Sequence, residues 1–382
     1  MKEQYDVIEL LRDMVRIDTC QPEGNEKQLV NLIRDLFSSY SEDIVLTEIE
    51  HSENRSSLVI RIGPEVQGGL AFVGHLDTVS VGDRKTWSHD PHSAKLVDDT
   101  IYGRGAVDMK AGVAAITVAA LDYLNAGIKF EKPLYLVYTA GEENGCLGAR
   151  AIAKSNLLEF ADAFVIPEPT NIKPAIAEKG ALWLRFYLEG KLAHGSKPEE
   201  GINAVEAAVD LSKLIKETMS VDLKHKLLGD FTLSVNRFEG GIMTNVIPAE
   251  AMVEMDIRTL PEQNHDRLLE LIDSCINEIL EAYPGLAIRL ETIHNYPSLS
   301  SDEDSDFIKK IQGYVREAGL PDKVCGMTYM TDAAVLIPVY PKPFVIIGPG
   351  HESMAHQVDE AVKVESVNLA LEIYKRIMKD LT

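Results

Sequence analysis

Two kinds of apolar pattern divide the 382 residues. Over the first half, apolar positions come in short unbroken runs separated by stretches with helical spacing. Helical periodicity covers about residues 4–18 and 25–40. The runs "SLVIRI" and "GLAFVGHLDT" follow, with Leu70 to Val73 almost continuously apolar. "VDMKAGVAAITVAALDYLNAG" is apolar on nearly every side and closed by Gly127, which predicts a buried helix. "LYLVYTA" and "AFVIPEP" repeat the unbroken run. Strands of this kind, separated by helices, predict a mostly parallel sheet covered on both faces.

Near residue 180 the period changes to two. In "ALWLRFYLEG", Leu182, Leu184, Phe186 and Leu188 share one face, and Trp183, Arg185, Tyr187 and Glu189 the other. That is a strand with one solvated side. A helical stripe follows at Ala204, Ala207, Ala208, Leu211, Leu214 and Ile215. "FTLSVNRF" and "AMVEMDIR" alternate again. Pro261 then opens a second helix, striped at Leu268, Leu271, Ile272, Cys275, Ile276 and Ile279 and ended by Pro284. "LAIRL" is a last strand. The order β-α-β-β-α-β predicts a small sheet with two helices on one face, the split βαβ arrangement. After about residue 293 the unbroken type returns, with a helix near 303–318, the strand "PFVIIG" and a final helix near 361–380. The expected architecture is α/β. One discontinuous domain, residues 1–178 and 294–382, is interrupted by an α+β, ferredoxin-like insert at 179–293.

Charge narrows the partners. With 38 basic against 60 acidic residues, net −22, neither nucleic acid nor an anionic membrane is a suitable partner. Surplus carboxylates would suit bound divalent cations. The N-terminus, "MKEQYDVIELLRDMVRID", is charged throughout and lacks a signal-peptide core, and no apolar run approaches ~18 residues. Cys20, Cys146, Cys275 and Cys325 stand far apart with no CxxC, which points to free thiols and the cytoplasm.

Five polar stretches fall at or just beyond strand ends, where open α/β sheets bind ligands. In "GHLDT", His75 and Asp77 point the same way, and a histidine ligand usually gives its other ring N–H to a carboxylate. Asp108, in "GRGAVDMKAG", stands where the buried helix would have its N-cap. Glu142 and Glu143 close "LYLVYTAGEE" either as acids in a helix's first turn or as two side chains with different tasks. Glu168 lies between two prolines in "PEPTN", and "GPGHESMAHQVDE" carries His351 and His356. Two histidines and three or four carboxylates on one edge fit a mixed nitrogen and oxygen divalent site, zinc foremost. The absence of cysteine disfavours a closed structural zinc site. An additional carboxylate is what hydrolysis needs, as a base toward water.

With these stretches assembled, the chain resembles the metal-dependent amidohydrolases that include aminoacylase, carboxypeptidase G, acetylornithine deacetylase and succinyl-diaminopimelate desuccinylase. "HLDTV", "GRGAVDMKAG", "AGEENG", "PEPT", "GKLAHGSKPEEGINAV", "TNVIPAEAMVEMDIR" and "GPGHESMAHQVDE" carry the resemblance in order. It implies two zinc ions, with cobalt or manganese as substitutes. His75 and Glu168 hold one ion, Glu143 and His356 the other, and Asp108 bridges them. Asp77 supports His75, and Glu142 is the general base. The resemblance also implies a cis peptide between Asp108 and Met109, and it selects His356 over His351 through "AHQVDE".

For the insert, the resemblance implies a lid and dimerisation domain in a homodimer. His194 would reach the neighbouring subunit's site and stabilise the oxyanion, while Asn245 and Arg258 contact substrate. The expected activity is hydrolysis of the amide of an N-acyl amino acid. "AHGSKPEEGINAV" sits nearer the acetylornithine deacetylase and carboxypeptidase G pattern than that of desuccinylases proper. A dipeptidase or carboxypeptidase is the same-class alternative. A catalytically silent metal-binding scaffold is the alternative of another class, disfavoured by Glu142, which a mere metal binder has no use for.

Overall fold

A computed structural model describes residues 5–40, 44–219 and 223–382. The fold is the α/β class that the two apolar patterns predict. The chain forms two compact units: residues 1–176, 301–325 and 331–382, and residues 177–300 with 326–330.

The first unit is built on a central sheet. Its core is four mutually parallel strands in the order Leu134–Thr139, Gly69–His75, Ala161–Ile166 and Phe344–Ile346. Every residue of Gly69–His75 and Leu134–Thr139 is buried, as their unbroken apolar runs require. On the margin beside Leu134–Thr139, the hairpin Ile44–Ser52 and Arg55–Ile62 pairs antiparallel. The helix Lys110–Asn125 is buried on all sides over Lys110–Leu121 and packs with Val7–Arg16 and Val364–Leu381. The helices predicted near the chain start are Val7–Arg16 and Glu26–Phe37, and the predicted start at residue 4 lies outside the described residues. A small antiparallel sheet of Lys95–Val97, Thr100–Tyr102 and Ala361–Lys363 ties the loop before the final helix to the loop that carries Asp108.

The second unit is an antiparallel sheet in the order Thr232–Gly240, Glu250–Thr259, Gly180–Glu189 and Ala287–Tyr296. Leu182, Leu184, Phe186 and Leu188 form its core with Val253, Met255 and Ile257 and with the stripes of helices Ala204–Thr218 and His265–Ala282. Chain order is therefore β-α-β-β-α-β, as the alternation predicts. One boundary differs: Pro261 does not open the second helix, which begins at His265. Asn264 takes the N-cap because its side chain accepts from the Arg267 N–H at 3.1 Å, a bond worth ~1 kcal/mol.

Candidate metal and catalytic centre

The strand Gly69–His75 sits between Leu134–Thr139 and Ala161–Ile166, the next two strands of the core in sequence. The connection out of Gly69–His75 leads to Leu134–Thr139 and the one out of Leu134–Thr139 leads back past it to Ala161–Ile166, a reversal at whose carboxyl end α/β sheets bind ligands. His75 is the last residue of that strand, and Glu142, Glu143 and Glu168 follow closely on the ends of its two neighbours.

The imidazole of His75 is held at both nitrogens. Nδ1 lies 2.9 Å from the backbone carbonyl of Asp77, which makes Nδ1 the proton carrier and aims Nε2 at the carboxylates. Nε2 is 3.0 Å from Asp108 Oδ1 and 3.4 Å from Glu168 Oε1. The other oxygen of Asp108, Oδ2, faces His356 Nε2 at 3.2 Å, and that nitrogen is 3.1 Å from Glu143 Oε1. Two ligand groups result, His75–Asp108–Glu168 and Asp108–Glu143–His356, each with its donor atoms within 4.8 Å of one another. Asp108 belongs to both. The peptide between Asp108 and Met109 is cis.

The donor set fits divalent ions on its own electrostatics. Burial raises the proton affinity of Glu143 and lifts Glu168 to about 7, with the charge of Asp108 adding to both. Burial opposes charge on His75, yet Glu168 and Asp108 outweigh it and hold the ring well above its ordinary range. Hydrogen bonds to Asp108 and then Glu143 raise His356 to about 10. Each of these positions favours positive charge among the carboxylates. A divalent cation supplies it, and oxygen and nitrogen donors without sulfur suit zinc, cobalt or manganese.

The two adjacent glutamates are not helix-start acids. The helix after their strand begins at Leu147, beyond a turn in which Glu142 accepts from the Gly145 N–H. Asp77 shapes that turn, and here the geometry differs from the expected carboxylate–histidine pair. Its carboxylate stands 3.8 Å from His75 Nδ1 but accepts the N–H groups of Glu142 at 3.0 Å and Glu143 at 3.2 Å. Gln21 Nε2 completes it at 2.8 Å. Two backbone donors in one turn satisfy a buried carboxylate better than one shared ring proton, so Asp77 supports His75 through its carbonyl. Glu142 is buried and lies outside both ligand groups. Burial, then the charges of Glu143, Asp332 and Glu168, holds its carboxyl well above the usual range, against a pull from His75.

Asp108 is not an N-cap either. Met109 occupies the cap, with no side-chain bond, and the Asp108 carboxylate is left to the histidines. Its loop is held by Glu360, the last residue of "GPGHESMAHQVDE", for which the sequence offered no role. The fully buried Glu360 carboxylate accepts from Arg104 at 2.6 Å and from the N–H groups of Gly105, Val107 and Asp108. A charged residue at each of two glycine-rich or apolar stretches, "GRGAVD" and "DEAV", was the available signal. Glu168 is placed by close approach: a Cβ on Gly112 would meet the Pro167 carbonyl oxygen at 2.1 Å, and one on Gly348 at 2.3 Å. His351 stays out of the centre, capping its own turn through the Ser353 N–H.

In the second unit, His194 is exposed and its Nδ1 bonds Ser196 at 2.7 Å. The Gly195 N–H donates to the Asn245 carbonyl at 2.8 Å, so His194 and Asn245 share a corner. Arg258 pairs with Asp256 at 2.8 Å and lies over the Trp183 ring.

Residues 71–380 match Peptidase family M20/M25/M40. The chain is 28% identical to a probable succinyl-diaminopimelate desuccinylase of Staphylococcus epidermidis over 407 aligned residues, covering 98% of each. It is also 28% identical to an acetylornithine deacetylase of Aliivibrio salmonicida, covering 99% of this chain and 97% of that one. The crystal structure of the aminopeptidase PepT from Bacillus cereus shares the fold, with a TM-score of 0.80, 18% identity and 99% of each chain covered. With the matched residues spanning most of its length, the chain belongs to peptidase family M20/M25/M40 and is a metal-dependent hydrolase of the amidohydrolase and peptidase type.

Proposed function

We propose that this protein is a di-metal hydrolase cleaving the N-acyl amide of an N-acyl amino acid. The observation that carries the reading is the pair of ligand groups sharing Asp108, with Glu142 buried beside Glu143 but in neither group. His75 and Glu168 would hold one ion, Glu143 and His356 the other, and Asp108 both. Two such ions, zinc first with cobalt or manganese also suited, would supply Lewis acidity toward the amide carbonyl and would lower the pKa of the attacking water. Glu142 takes a proton from that water and delivers it to the leaving nitrogen, a task its raised proton affinity suits. Asp77 keeps both glutamates in register by holding their backbone N–H groups. Arg258 would exchange Asp256 for a substrate carboxylate, with Asn245 as a second contact. In this reading residues 1–178 and 294–382 are the catalytic domain and 179–293 the lid.

The deacylase reading draws support from relatives named as deacylases that align with nearly the whole chain. A panel of N-acetyl and N-succinyl amino acids and of dipeptides, run with added zinc or cobalt against metal-free protein, tests it. Metal-dependent release of amino acid from the N-acyl series is expected to exceed dipeptide cleavage. The reverse order would make the chain a dipeptidase.

The same reading makes the protein a homodimer in which His194 of one chain stabilises the oxyanion formed in its twin. The edge strand Thr232–Gly240 supports it. That strand pairs on one side, and its exposed Phe238 leads to the exposed Ile242 and Met243. His194→Ala and Glu142→Ala should each be nearly inactive. Unfolded and refolded together in equal amounts, they should recover roughly a quarter of wild-type activity, since half the dimers are mixed and carry one complete site of two. No recovery in mixed dimers confirmed by mass would place His194 within its own chain or outside the reaction. Residence in the cytoplasm belongs to the same reading, supported by four cysteines with no disulfide among them in the described residues.

A further inference from the structure

A third group of potential ligands lies in the first unit, apart from the two that share Asp108. Asp18 and Cys20 follow the helix Val7–Arg16, and His92 lies in the turn after Asp90. Their donor atoms all fall within 4.8 Å of one another. The segment is fixed on both sides. Cys20 forms a parallel bridge with Thr78, and the Cys20 N–H donates to Asp18 Oδ1 at 3.0 Å.

His92 is the telling member. Its side chain is 11% exposed, and neither ring nitrogen makes a well-aligned hydrogen bond, although the Val15 backbone and the Asp18 carboxylate lie close to the ring. A mostly buried imidazole short of well-aligned partners costs free energy that a bound ligand can offset. Nε2 lies 3.3 Å from Asp18 Oδ2 without the alignment of a hydrogen bond. A tetrahedral zinc ion with bonds of about 2.0 Å to nitrogen and oxygen spaces those ligands by about 3.3 Å. Cys20 supplies the sulfur that the catalytic groups lack, and the exposed side of Asp18 leaves a fourth position to water.

We propose that Asp18, Cys20 and His92 form a further metal site, which takes one borderline-soft divalent ion such as Zn²⁺ through a carboxylate, a thiolate and an imidazole. As the metal–sulfur bond forms, the Cys20 S–H bond breaks and its proton passes to solvent. Burial keeps the thiol protonated until then. Arg84, 3.9 Å from Asp18, gives way to the ion and keeps its pair with Asp90 at 3.1 Å. The site adjoins the catalytic centre in sequence and space, because Gln21, next to Cys20, donates to Asp77.

The test is a Co²⁺ titration of the metal-loaded enzyme, followed by near-ultraviolet absorption and by elemental analysis after gel filtration. Neither catalytic ligand group contains sulfur, so a thiolate-to-cobalt charge-transfer band that Cys20→Ser abolishes reports this site. Wild type should develop the band and retain one ion more than Cys20→Ser or His92→Gln, and Cys20→Ser should show no band. Asp18→Asn, at a position more than half exposed, leaves the fold intact and should weaken Co²⁺ binding at least ~10-fold. An unchanged band in Cys20→Ser, no band in wild type, or Co²⁺ affinity unchanged in Asp18→Asn would overturn the proposal.

Discussion

Glu142→Gln is expected to bind metal as the wild-type chain does while kcat falls by at least ~10²-fold, the scale for losing a positioned acid–base group. The substitution preserves shape and the turn, since Asp77 holds that turn through backbone N–H groups. It removes only the capacity to take up a proton. Glu143→Gln should behave differently, because Glu143 faces His356 at 3.1 Å within a ligand group. An amide there donates and accepts where a charged oxygen is needed, so metal should be lost along with activity. Elemental analysis of both variants separates the roles. Equal metal loss in the two would sink the division of labour between neighbours.

Glu360→Ala is expected to destabilise the fold by about 3–5 kcal/mol, the cost of breaking a buried pair from one side. The Arg104 side chain is 3% exposed and Glu360 0%, so the guanidinium left behind has no water to turn to. Three backbone N–H groups of the Asp108 loop lose their acceptor as well. The metal affinity of the Asp108 groups should therefore fall together with stability. Denaturant midpoints at unchanged slope measure the first, and metal retention on dialysis the second. Glu360→Gln, which keeps an acceptor but not the charge, should lie between wild type and alanine. A loss under about 1 kcal/mol for alanine would mean that the pair contributes no more than an exposed one.

Much of the fold was legible because periodicity is local. Leu182, Leu184, Phe186 and Leu188 alternate in the sequence and are all buried on one face of an antiparallel sheet. The unbroken run around Leu70–Val73 is a strand buried on every residue. The boundary at Pro261 was missed because proline and asparagine both signal helix starts, and the side-chain bond of Asn264 decides between them. The chemistry-bearing residues were legible as types, since histidines and carboxylates at strand ends of an α/β sheet have few other reasons to gather. The pairing of Glu360 with Arg104 was not, because charges in two distant stretches carry no spacing that joins them.

By itself the sequence determined the principal strands and helices of both patterns, which side chains stand at the carboxyl edge, and that the set lacks sulfur. These follow from side-chain chemistry and from repeats of two and about 3.6 residues, which act over short distances. Tertiary structure decided the geometry of a sharing that only the family resemblance had implied. Asp108 turns one oxygen to His75 and the other to His356, because the small sheet of Thr100–Tyr102 and Ala361–Lys363 draws the final loop onto the Asp108 loop. It also gave the Asp77 carboxylate to two backbone N–H groups rather than to an imidazole. Such choices depend on which groups remain unpaired once distant segments meet, and a buried polar group takes the partners that packing brings to it.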